Sequence, residues 1–211
     1  MNDLEEKMLN SKVVSKVKDY VIKVLSKQLP DHMTYHSINH TIDVVDSAEE
    51  IAGTQNLKQE EIEIILIAAW FHDIGYAEGC ENHEINSAKS AENFLQSLNY
   101  PTEKIELVVG CIMATQMPQN PSNIMEKVLC DADLMHLADE NYFHKADLLH
   151  QEIQKTKLCE ISENEWFQMN EEFLEKHCFF TEYARKNYEL AVKENLKKVR
   201  DRLKSWQKAK K

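Results

Sequence analysis

Only eight of the 211 residues in this chain are glycine or proline, four of each. An average chain carries roughly 12% of the two together. Turns are built on those residues, so a chain this poor in them has few turns, and sandwiches, barrels and other many-stranded folds are poor candidates. Apolar periodicity names the alternative. Val14, Val17, Val21, Val24 and Leu25 form one stripe on a helix predicted over residues 3–28, with Pro30 beyond its end. Further helices are predicted over 38–52, stopping at Gly53, and over 58–73, followed by a turn at Gly75 and Gly79. Three more are predicted over 83–98, 102–115 and 122–139, separated by Pro101 and the Pro118/Pro121 pair. From about residue 140 helical patterning runs to the end, with a break near 158–163. Lys127–Cys130 alone resembles a short strand, and one strand makes no sheet. The fold class is all-α, with residues 1–211 expected to form a single domain.

Charge narrows the partners. Net charge is −11, and the nine basic against two acidic residues of Lys193–Lys211 leave the rest of the chain still more acidic. An acidic body repels a phosphate backbone, so binding to a nucleic acid duplex is not expected, and the basic tail reads as a solvated helix end. The longest apolar run, Ile64–Phe71, has eight residues, far short of the ~20 that span a bilayer. Met1–Lys12 has no apolar core of a signal peptide. Cys80, Cys111, Cys130, Cys159 and Cys178 are odd in number and contain no CxxC pair, which reads as reduced thiols. A cytoplasmic protein without a membrane segment is expected.

The apolar run Ile64–Phe71 ends on His72-Asp73. Burying an imidazole and a carboxylate side by side costs several kcal/mol, about what pairing or a metal ion restores. The plainer alternative is that both cap the helix and face water. Two further clusters favour the first reading. His36 and His40 lie four apart, on one side of any helix that holds them. Asp131-Ala132-Asp133 follows the apolar Val128-Leu129-Cys130. Imidazole nitrogen with carboxylate oxygen suits Mg, Mn, Fe, Co, Ni or Zn.

The ordered set His40, His72-Asp73, Asp133 resembles the H…HD…D signature of the HD-domain metal-dependent phosphohydrolases. Tyr35-His36, His40-Thr41, Ala69–Tyr76, Asn82-His83-Glu84, Ser87-Ala88, Ile112–Thr115 and Asp131–Leu134 resemble a small bacterial branch of that superfamily, as does His177–Thr181 with Arg185 downstream. The likeness covers about residues 30–140. It implies a helical bundle with a metal-binding core over 30–140 and a C-terminal helical extension over 141–211 packed on it. It also implies that His40, His72, Asp73 and Asp133 converge on one divalent ion. Asp133 is favoured over Asp131 because Ala132-Asp133-Leu134 stands in the context of the family's ligand; Asp131 would orient a ligand or serve structure.

The activity implied is hydrolysis of a phosphate mono- or diester by metal-activated water. Asp73 would link metal and nucleophile, and His83 or Glu84 would protonate the leaving oxygen. His36, Lys89 and Arg185 are candidates for contact with substrate phosphate, the substrate being a small phosphorylated molecule with a nucleotide favoured. Binuclear relatives carry extra histidines between the HD doublet and the last Asp, where this chain offers only His83, so one ion is favoured over two. Two alternatives remain: a non-catalytic nucleotide or metal sensor, and a di-iron oxygenase of the same superfamily. Whether the C-terminal helices cap the pocket, lie behind it or build a homodimer stays open.

Overall fold

The computed structural model describes residues 12–156 and 160–209, and every regular element among them is helical. The order is α1 Lys12–Gln28, α2 Ile38–Gly53, α3 Gln59–Phe71, α4 His83–Ser97, α5 Thr102–Ala114, α6 Ile124–Asp133, α7 Tyr142–Thr156, α8 Glu163–Lys176 and α9 Glu182–Ala209. Single 3₁₀ turns at Ile74–Ala77 and Met135–Ala138 follow α3 and α6. The part of the first predicted helix before residue 12 lies outside the described residues.

The centre is α3. From Ile64 to Phe71 every one of its residues is buried. A helix apolar on all sides must be surrounded, and α3 packs against α1, α2, α5 and α6. Its start is fixed by Glu61, whose carboxylate accepts the Lys58 N–H at 2.7 Å. This first apolar cluster runs from Val14 to Ala132 along the chain. A second cluster begins at Leu134 and ends at Leu203, joining the Met135–Ala138 turn to α7, α8 and α9. Asp133 therefore stands on the seam between the two cores.

Polar ties cross that seam. Asp131 accepts the backbone N–H groups of Phe180 at 2.7 Å and Thr181 at 2.8 Å. Glu152, on α7, accepts those of Tyr35 at 2.9 Å and His36 at 3.0 Å. Asn195 on α9 donates to the carbonyls of Leu137 and Asp139, both at 3.0 Å. Each satisfies a backbone group that would otherwise be left unpaired in a partly dry interface.

Three sequence expectations change. Lys127–Cys130 lies inside α6, and no strand occurs among the described residues. The helix predicted over 122–139 stops at Asp133 and continues as a 3₁₀ turn. The long C-terminal pattern breaks a second time at His177–Thr181, where Asp131 captures two N–H groups that a continuous helix would have used internally. Of the expected break near 158–163, residues 157–159 lie outside the described residues. No described helix is long and apolar enough to cross a membrane.

Candidate metal centre

Three pieces of chain deliver the cluster. His40 lies in the first turn of α2, His72 and Asp73 lie at the end of α3, and Asp133 is the last residue of α6. His40, His72 and Asp73 are buried; Asp133 is half-buried. Ligand atoms of His40, His72 and Asp133 lie within 4.8 Å of one another. His40 Nε2 is 3.3 Å from Asp73 Oδ2, 3.4 Å from Asp133 Oδ1 and 3.4 Å from His72 Nε2. His72 Nε2 is 3.1 Å from Asp73 Oδ2 and 3.6 Å from Asp133 Oδ1.

The tautomer of His72 follows from its other nitrogen. Nδ1 faces the Ala69 carbonyl at 2.8 Å, and a carbonyl can only accept, so Nδ1 carries the proton and Nε2 presents a lone pair to the cluster. Asp73 Oδ2 is buried and accepts no hydrogen bond, although two imidazole nitrogens stand within 3.3 Å. The distances are those of ion pairs, but no N–H is aimed at the oxygen. Lone pairs facing one another at this range repel unless a proton or a cation lies between them. The donor set is therefore the right kind for a divalent ion, nitrogen and oxygen mixed.

Electrostatics agree. Burial opposes a charge on His40, but Asp133 and Asp73 outweigh it and raise its pKa to about 9. His72 is raised as well, against its burial, chiefly by Asp73. Burial would raise Asp73, yet His72 and His40 hold its carboxyl well below the usual range, and Asp133 is lowered chiefly by His40. The cluster as a whole attracts positive charge to its middle. His136, three residues beyond Asp133, goes the other way: burial, then His40, push it down to about 4.

Beside the cluster, Tyr76 is sandwiched between His36 at 4.2 Å and His83 at 4.1 Å, both rings 19° from parallel. His83 Nε2 lies 3.4 Å from Glu84 Oε1 and 3.8 Å from Asp73 Oδ1. So the two oxygens of Asp73 face different groups, one the paired histidines and one His83. His36 pairs through Nδ1 with Glu152 and approaches the Tyr76 hydroxyl through Nε2 at 3.4 Å. A cavity of about 300 Å³ touches His36, Asp73, His83, Glu84 and Asp133. Lys89 is exposed and outside its lining. Arg185 is exposed too, donating to the carbonyls of Thr181 and Phe180 at 3.3 and 3.2 Å.

Glu152 has no counterpart in the sequence reasoning. It lies 116 residues from His36, and nothing in the local pattern around it differs from a solvated helix face. Its burial is the signal, and burial is visible only in the fold.

Residues 37–138 match the family described as HD domain. The span contains His40, His72, Asp73 and Asp133 and leaves out His36 and Glu152. Among solved structures, a "predicted HD superfamily hydrolase" from an uncultured Thermotogales bacterium superposes with a TM-score of 0.66 at 22% identity, covering 98% of this chain and 99% of that one. Likeness at that identity speaks for the fold, including the C-terminal helices. No curated protein matches the chain.

Proposed function

We propose that this chain is a member of the HD-domain family, whose model residues 37–138 match, and that it is a divalent-metal-dependent hydrolase of phosphate esters. One observation carries the reading: His40, His72, Asp73 and Asp133 turn unshared nitrogen and oxygen lone pairs toward one another at 3.1–3.6 Å, with Asp73 Oδ2 lacking any donor. Those four residues would hold the ion. When bound, a divalent ion offsets phosphoryl charge and lowers the pKa of water.

The chain's own groups supply the rest. Asp73 joins the metal residues to His83 through its second oxygen. His83, held by Glu84 on its Nε2 side, is placed to deliver a proton to the leaving oxygen. Glu152 fixes the ring of His36 at the cavity wall, where its Nε2 can meet a phosphoryl oxygen. The free thiols Cys80, Cys111, Cys130 and Cys178 suit a reducing compartment, which favours the cytoplasm.

The test is phosphate release from a panel of mono- and diesters by chelator-stripped protein reloaded with Mg, Mn, Fe, Co, Ni or Zn. Hydrolysis should require the ion. Asp73→Asn should lose both bound metal and turnover. His83→Ala should keep its metal and slow turnover by about 10²–10⁴-fold. An Asp73→Asn variant with wild-type hydrolysis would overturn the proposal.

A further inference from the structure

The cavity beside the cluster is two-sided. Its charged side is made by Asp73, Asp133, His36, His83 and Glu84. The same cavity is lined by Leu134, Leu137, Leu149, Trp166, Met169 and Phe173, supplied by the turn after α6 and by α7 and α8. No lysine or arginine lines it among the described residues. A di- or triphosphate needs several such cations, because each phosphoryl charge taken from water must be matched. The cluster provides for one phosphoryl group.

Polar groups on the apolar side are already engaged. The Thr115 hydroxyl donates to the Ile112 carbonyl at 2.8 Å. Asn170 donates through Nδ2 to the Trp166 carbonyl at 2.7 Å and accepts the Tyr142 hydroxyl at 2.5 Å. The Tyr35 hydroxyl and the Trp166 indole N–H meet no acceptor, and both atoms are covered by their neighbours. Apart from these two covered atoms and His136, the polar side chains of this wall are already bonded, which leaves few groups to read sugar hydroxyls or the edge of a nucleobase, and burying such groups unpaired is costly. At the mouth, Met117, Met169 and Phe173 are 54%, 48% and 36% exposed, which places large apolar side chains in water around a concave site.

Resting on the phosphoesterase reading, we propose that the substrate is a phosphomonoester of a compact apolar alcohol, its apolar group seated against Leu134, Leu137, Leu149, Trp166, Met169 and Phe173. The cavity's size, at the low end of the ~300–1,000 Å³ of small-molecule sites, sets the limit on that group. In the reaction a water oxygen bonds to phosphorus as the ester P–O bond breaks. The leaving oxygen takes a proton from His83, one proton of the water stays on the phosphate and the other replaces the one His83 gave up, and the products are inorganic phosphate and the free alcohol.

Two measurements on the full chain test this together. The first is kcat/KM of the metal-loaded protein for the linear alkyl monophosphates from methyl to hexyl, set against AMP, ATP and a sugar phosphate. Each added methylene should raise kcat/KM about four-fold until the cavity fills. Phe173→Ser, at an exposed position, should flatten the series. The second is titration of the metal-free protein with hexan-1-ol, read from the methyl resonances of Met117 and Met169 in ¹³C-methionine-labelled protein. Saturable shifts are expected. A flat series, or AMP turned over better than hexyl phosphate, overturns the substrate assignment while the phosphoesterase reading stands. Hexanol binding with no hydrolysis of any ester overturns the phosphoesterase reading while the apolar pocket stands.

Discussion

Gly75 shows how one residue holds the site in place. The sequence suggests a turn glycine, chosen for conformational freedom, and the structure gives a different reason. A Cβ there would stand 2.1 Å from the His83 carbonyl oxygen and 2.9 Å from the Ser87 nitrogen, both backbone atoms of α4. The Gly75 N–H meanwhile donates to Ser87 Oγ at 2.8 Å. The first turns of α4 thus lie directly on the chain just after Asp73, and this contact sets the distance between Asp73 and His83. Gly75→Ala should cost about 3 kcal/mol or more, since backbone cannot step aside as a side chain can. It should also reduce hydrolysis by displacing His83. Thermal denaturation and the ester assay check both; a variant with wild-type stability would contradict the contact. The neighbouring Gly79, at φ 135°, is the position that does need glycine's freedom.

Element ends divide into those a sequence can announce and those only the fold decides. Gly53 closes α2 and Pro101 precedes α5, as their local chemistry dictates. The stop at Asp133 and the break at His177–Thr181 have no such marker. The break depends on Asp131 reaching N–H groups 49 and 50 residues away, and the stop passes directly into the Met135–Ala138 turn. Lys127–Cys130 resembled a strand because four apolar-rich residues are too few to show a period of 3.6. The corner at the second break carries its own prediction. His177 lies edge-on to Phe179 at 4.6 Å, and its Nε2 has no hydrogen-bond partner among the described residues. Burial pushes its pKa down to about 4, against 6.5 when unfolded. Between those values the unfolded chain binds the extra proton, so the stability His177 contributes is present above about pH 6.5 and lost as pH falls toward 4. In urea unfolding from pH 7.5 to 4, the gap between wild type and His177→Leu should shift in the variant's favour by up to about 1.4 kcal/mol per pH unit. A gap that ignores pH would contradict the assignment.

Across the whole molecule, the catalytic proposal depends on two cores meeting at Asp133. The first, built around α3, presents His40, His72 and Asp73; the second supplies the apolar wall of the cavity. The first was legible in the sequence because a fully apolar run ends in His72-Asp73 and two further clusters, at His36/His40 and Asp131/Asp133, complete a pattern that resembles a known family's signature. The second was not, since Leu149, Trp166 and Phe173 read as ordinary helix-face residues until α7 and α8 are seen beside the cluster. The same holds for the net charge of −11. It argues against long polyanions, yet a divalent ion held between these carboxylates would reverse the sign locally. The most direct test is anomalous diffraction from crystals soaked in Mn or Zn. The account predicts an ion bonded to His40 Nε2, His72 Nε2 and carboxylate oxygens of Asp73 and Asp133, at about 2.0–2.2 Å. Anomalous density elsewhere, or none here in protein that hydrolyses esters, would contradict it.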